Sequence, residues 1–123
     1  MDLEKIVETI VKAAEDKKAR DIKVLDLRKL SSVTDYFIIC TGNSATQNKA
    51  IADNIEEKLA EAGVYLLRSE GYQLGSWILL DYGDAVVHIF KPEEREFYSL
   101  ERLWGDAREV EVASLLGEND DIQ

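Results

Sequence analysis

Trp77-Ile78-Leu79-Leu80-Asp81-Tyr82-Gly83-Asp84-Ala85-Val86-Val87-His88-Ile89-Phe90 reads as a hairpin. Apolar runs at Ser76–Leu80 and Ala85–Phe90 flank Asp81-Tyr82-Gly83-Asp84, which carries turn chemistry. With Tyr82 and Gly83 as a two-residue loop, Asp81 opposes Asp84, Leu80 opposes Ala85, Leu79 opposes Val86, Ile78 opposes Val87 and Trp77 opposes His88. Residues directly opposite share a face, and faces alternate along each strand. One face is then Ile78, Leu80, Ala85, Val87 and Ile89, wholly apolar and therefore core. The other carries Trp77, Leu79, Asp81, Asp84, Val86, His88 and Phe90. Such a mixture does not fit a dry interior, because buried carboxylates need partners. An indole beside acids on a half-exposed sheet suits an interface anchor. The alternative is that a following helix covers Trp77 and Phe90 and leaves only the acidic turn wet. A one-residue slip would exchange the faces, so the reading depends on the turn.

Upstream, Leu3, Ile6, Val7, Ile10, Val11 and Ala14 keep helical spacing and predict an amphipathic helix ending near Lys18. Ile22–Leu27 reads as a short strand and Ser31–Asp35 as a polar connection. Tyr36–Thr41 is a nearly all-apolar strand, as expected of a central one covered on both faces. Gly42-Asn43-Ser44 then opens a second helix, with Asn43 or Ser44 as its cap, and Gly63 stops it. Val64–Arg68 reads as a strand and Ser69–Gly75 as a loop. Pro92 suits the first position of a third helix, with Glu93 and Glu94 in its first turn and Phe97, Leu100 and Trp104 as its apolar stripe. The expected order is α-β-β-α-β-β-β-α: one α/β domain with a mixed, five-stranded sheet flanked by helices over residues 1–110, followed by an acidic, frayed tail over 111–123.

The bulk numbers narrow the function. The chain has 123 residues, 46% hydrophobic and 33% charged, an ordinary globular mixture that folds without disulfide or metal. Its 15 basic and 25 acidic residues give a net charge of −10. Phosphate backbones repel such a chain, since non-specific nucleic-acid binding rests on Lys and Arg. Near RNA it is expected to dock on a basic protein; the plainer reading is that acidity serves solubility. No apolar run approaches the ~20 residues that span a membrane, and the charged start lacks a signal-peptide core, so a cytoplasmic protein is expected. Cys40, the single cysteine, lies in an apolar strand and reads as a buried structural thiol. One His and one Cys leave no zinc set of the usual kind, and no cofactor is expected.

Several segments resemble the RsfS/Iojap family in order and spacing: Val24–Leu27, Ser31–Gly42, Glu70-Gly71, Trp77–Phe90 and Tyr98–Ala107. The resemblance covers about Leu3 to Val110. It implies a nucleotidyltransferase-like topology without the active site. It also implies a silencing factor, not an enzyme, that binds the large ribosomal subunit through the fourteenth ribosomal protein on its intersubunit face. By obstructing the small subunit, such a factor represses translation, with little direct RNA contact. The contact residues carried over by the resemblance are Trp77, Asp81, His88, Lys91, Arg95 and Tyr98. Family members can form homodimers and organellar relatives take part in large-subunit assembly, so a dimerising adaptor or an assembly factor stays open. The enzyme alternative requires a phosphate-holding turn followed by two acids alternating on a strand. Gly42-Asn43-Ser44 meets the first demand, but Asp53, Glu56 and Glu57 fall inside a predicted helix, and Asp81 and Asp84 flank a turn.

Overall fold

The computed structural model describes residues 1–117. In chain order it runs α1 (Leu3–Asp16), β1 (Arg20–Asp26), β2 (Tyr36–Thr41), α2 (Ala45–Glu61), β3 (Arg68–Glu70), β4 (Trp77–Asp81), β5 (Ala85–Phe90), α3 (Pro92–Tyr98), α4 (Leu100–Leu103), β6 (Arg108–Val110) and α5 (Val112–Leu115). The sheet is mixed and has six strands, not the expected five, in the order β3-β4-β5-β2-β1-β6. The α/β class holds, and the all-apolar β2 is central, parallel to β5 and antiparallel to β1.

The extra strand is β6, three residues paired antiparallel to β1. Its local sequence, Arg108-Glu109-Val110, is polar, and pairing is supplied from outside: the Asp26 carboxylate accepts from Arg28 at 2.7 Å and from Arg108 at 3.1 Å. The Arg28 bond, with Arg108 added, holds that carboxyl well below its usual range. Past β6, where a frayed tail was expected, Val112, Leu115 and Leu116 pack against the main core. The acidic run Glu118-Asn119-Asp120-Asp121 lies outside the described residues.

The third strand also differs. Val64 and Leu66 face the core, but β4 has only five residues and runs antiparallel, so pairing begins only at Arg68, opposite Asp81. The expected single helix after Pro92 is broken at Ser99, which adopts φ 47° and separates α3 from α4. The break turns Leu100 and Trp104 onto the sheet while Phe97 is left 80% exposed.

Two cores result. The larger lies between α1, α2, α5 and one sheet face, where Val24, Ile38, Cys40, Ile78, Leu80, Val87 and Ile89 meet Ile10, Val11, Ile51, Ile55 and Leu59. The smaller lies on the opposite face, where Leu25, Leu27, Ile39 and Phe90 are covered by Leu100, Trp104 and their neighbours. One side of the sheet is therefore roofed by two long helices and the other only in part by short ones.

Candidate partner-docking face

The hairpin pairs Trp77 with Phe90, Ile78 with Ile89, Leu79 with His88, Leu80 with Val87 and Asp81 with Val86. Every partner is two residues further along β5 than expected. The cause is the turn, which centres on Gly83-Asp84 rather than Tyr82-Gly83. The Tyr82 N–H donates to the Ala85 carbonyl at 3.0 Å, and the Gly83 N–H donates to the Asp81 carboxylate at 2.8 Å. Gly83 sits at φ 89°, open to glycine, and Tyr82 is spared that conformation. A shift of two preserves the faces. Ile78, Leu80, Val87 and Ile89 are core, while Trp77, Leu79, Asp81, Val86, His88 and Phe90 share the thinly roofed side.

On that side the aromatic rings form a continuous ladder. Trp104 meets Phe37 edge-on at 5.9 Å, Phe37 meets His88 at 4.6 Å, Trp77 lies 4.9 Å from Phe90 and 4.5 Å from Tyr98, and Tyr98 meets Phe97 at 5.0 Å. Phe90 is fully covered, whereas Trp77 is only half-buried and Tyr98 is exposed. The cover that the alternative reading assigned to the third helix thus reaches Phe90 and leaves Trp77 half-buried.

Trp77 does not stand opposite His88, yet its indole N–H donates to His88 Nδ1 at 3.1 Å. His88 is buried, and burial pushes its imidazole down to about 4, so the ring is neutral near pH 7. An Nδ1 that accepts leaves the proton on Nε2. That atom is buried and, among the described residues, has no hydrogen-bond partner; the same holds for Thr34 Oγ1. Beside the ladder lies a groove of about 470 Å³. Its apolar walls include Phe37, Leu67, Leu79 and Val86, and both His88 and Thr34 line it. Val33 and Leu67, 86% and 69% exposed, lie at its edge.

The six residues singled out from sequence divide into groups. Trp77, His88 and Tyr98 belong to the ladder. Asp81 lines the groove, where it accepts from Arg68 at 3.2 Å. Lys91 caps the start of α3, its N–H bonded to the Ser76 carbonyl at 2.9 Å. Arg95 is turned inward: it donates to Thr41 Oγ1 at 2.8 Å and to Glu101 at 3.1 Å, and lines a separate crevice with Arg20 and Arg102. Its side chain is fixed by these bonds, and it is not part of the groove. Sequence reasoning missed Phe37, Thr34 and Trp104. Phe37 was legible in principle, since a parallel partner of β5 with the same alternation adds it to the Val86 row. Thr34 was not, because a connecting loop carries no periodicity.

The positions of Cys40 and of the residues weighed for a nucleotidyltransferase site bear on the enzyme alternative. Cys40 is fully buried, and burial pushes its thiol up to about 12. It pairs with Ile89 while His88 pairs with Ile39, so thiol and imidazole stand on opposite faces of the sheet. Ser44 caps α2 by accepting from the Gln47 N–H at 3.1 Å, and Gln47 accepts in return from Asn43 N–H at 2.8 Å. Asp53 and Glu56 lie within α2, and Asp53 accepts from the Tyr72 hydroxyl at 3.1 Å. Among the described residues, no three His, Cys, Asp or Glu side chains gather as a metal set, and no helix is long and apolar enough to cross a membrane.

The model of the family described as "Ribosomal silencing factor during starvation" matches residues 1–123. The chain belongs to the ribosomal silencing factor family. It is 40% identical over 116 residues to the ribosomal silencing factor RsfS of Halalkalibacterium halodurans, covering 94% of this chain and 99% of that one. A crystal structure of a protein from Chromobacterium violaceum superposes with a TM-score of 0.83 at 44% identity, covering 85% of this chain and 88% of that one. The chloroplast protein Iojap of Zea mays is 41% identical over 104 residues, which span 85% of this chain and 45% of Iojap. The family's description and the name of the Halalkalibacterium relative are regulatory rather than catalytic, and place the chain with ribosome-related proteins of translation.

Proposed function

We propose that this protein binds the large ribosomal subunit through its fourteenth ribosomal protein and keeps the small subunit from joining, so that translation is repressed. The observation that carries the reading is the half-roofed aromatic face. A monomeric protein rarely leaves a large ring such as Trp77 on an open sheet face beside a lined groove without a partner for it. Trp77, His88 and Tyr98 supply the contact, Asp81 borders it, and Lys91 lies at the start of α3 beyond it. Arg95 acts by fixing α3 and α4 to the end of β2. A net charge of −10 suits a basic ribosomal protein as the docking point and disfavours direct RNA contact. The protein works in the cytoplasm and catalyses no reaction, in keeping with acids that serve a turn and a helix rather than a cleft.

The test is a binding isotherm on purified large subunits and on the isolated fourteenth ribosomal protein. Stoichiometric binding to both, weakened by Trp77→Ala, supports the reading. Binding to neither at saturating protein contradicts it. Binding to large subunits alone moves the docking point to another ribosomal component.

A further inference from the structure

His88 and Thr34 lie on different elements, β5 and the loop before β2, yet both line the same groove, and each carries a buried polar atom with no partner among the described residues. Buried polar atoms are nearly always paired, so two orphans in one groove mark a place where an outside group completes them. Their chemistry states what that group is. Trp77 Nε1–H occupies His88 Nδ1 at 3.1 Å, which leaves Nε2–H as a donor. The Thr34 hydroxyl donates as readily as it accepts. Two neutral donors ask for an acceptor. Arg68, the one cation in the lining, is already paired with Asp81 at 3.2 Å, so a neutral carbonyl fits better than a carboxylate. The walls formed by Phe37, Leu67, Leu79 and Val86 ask that this carbonyl be carried on an apolar body. A net charge of −10 disfavours RNA as the occupant and favours a basic protein.

We infer that the groove receives an apolar segment of the basic ribosomal partner whose carbonyl oxygen accepts from His88 Nε2–H and Thr34 Oγ–H, and that Trp77 is the positioning residue that sets the His88 tautomer. The inference rests on the docking reading above and deepens it. Trp77 then serves the contact twice, as a ring in the ladder and as the donor that holds the His88 proton on the groove side.

Three variants separate these roles. Trp77→Phe keeps a ring against Phe90 and Tyr98 but removes the N–H. His88→Gln offers an amide N–H near the position of Nε2. Thr34→Val removes the hydroxyl at nearly constant shape. Nitrogen NMR of the ring of His88, the chain's single histidine, is read in the free wild type, Trp77→Phe and Thr34→Val, and a binding isotherm on large subunits is taken for every variant, with melting curves to show that each is folded. The wild type is expected to show the Nε2–H tautomer, and Trp77→Phe a rise of the Nδ1–H form. Trp77→Phe and Thr34→Val are each expected to weaken binding about tenfold or less, the scale of one hydrogen bond. His88→Gln is expected to bind better than His88→Leu. An Nδ1–H tautomer in the wild type overturns the positioning role. Unchanged affinity in all three variants, with wild type bound, overturns the groove assignment while leaving the docking reading intact. A wild type that fails to bind overturns both. A homodimer that Thr34→Arg dissolves gives the groove to a second copy and overturns the assignment to a ribosomal segment.

Discussion

His88 is where residue chemistry bears most directly on stability. Its folded imidazole titrates near 4 because it is buried, and an unfolded one near 6.5. The folded value is depressed, so the unfolded state takes up the proton first as pH falls. Stability is therefore full above about 6.5 and is lost from there down to about 4, by on the order of 3 kcal/mol. Urea melts from pH 7 to 4 should show this loss, and His88→Gln should flatten it. The difference between the two curves isolates the histidine from Asp26, held low by Arg28, and from Glu56, raised by burial. A parallel slope in both proteins contradicts the burial account. Ile78 and Trp77 are neighbours with opposite duties. Ile78 is fully buried on the two-helix side, so Ile78→Ala should lower stability by ~2–5 kcal/mol and leave the contact chemistry in place. Trp77→Ala should cost less stability and weaken large-subunit binding by roughly thirtyfold, as truncating a central aromatic does. Melting curves and isotherms for the pair decide whether the faces are assigned correctly.

Among the elements, β4 is positioned by a close backbone approach. Gly71 has φ 79°, and a Cβ there would stand 2.0 Å from the Trp77 carbonyl oxygen. Gly71→Ala should destabilise the protein by more than ~1 kcal/mol and shift the start of β4, carrying Trp77 with it. A lowered Tm with altered tryptophan fluorescence is the expected result; a variant identical to wild type in both contradicts the role given to this turn. The elements also show what sequence could convey. The hairpin faces were legible because side chains alternate with a period of two, and that survives a turn displaced by one residue. The partners were not, because choosing between Tyr82-Gly83 and Gly83-Asp84 requires knowing which backbone accepts the positive φ. β2 was legible as central from its apolar run, but β6 was hidden, since its pairing depends on Asp26 and Arg108, which are 82 residues apart. The break at Ser99 was hidden too, because the stripe of Phe97, Leu100 and Trp104 suits one straight helix equally well. Of the candidate site, Trp77, His88 and Tyr98 were accessible from alternation and resemblance, and the groove was not, because Thr34 and Val33 come from a loop.

At the scale of the whole molecule, charge and shape act together. In the proposed docking, the net charge of −10 draws in a basic partner, and the aromatic ladder and apolar groove hold it. Asp81→Ala should thus slow association and flatten its salt dependence more than it speeds dissociation, although the Asp81 carboxylate also braces the turn at Gly83. Stopped-flow association at several ionic strengths checks this, and an unchanged on-rate contradicts steering. The central claim is that a protein seated by this face keeps the subunits apart. Purified large and small subunits, mixed with increasing amounts of the protein and resolved on sucrose gradients, test it most directly. The account predicts that the protein travels with the large subunit, that the joined-ribosome peak falls as the ratio approaches one to one, and that Trp77→Ala shifts this loss to higher concentration. A joined-ribosome peak unchanged at saturating wild-type protein would contradict it.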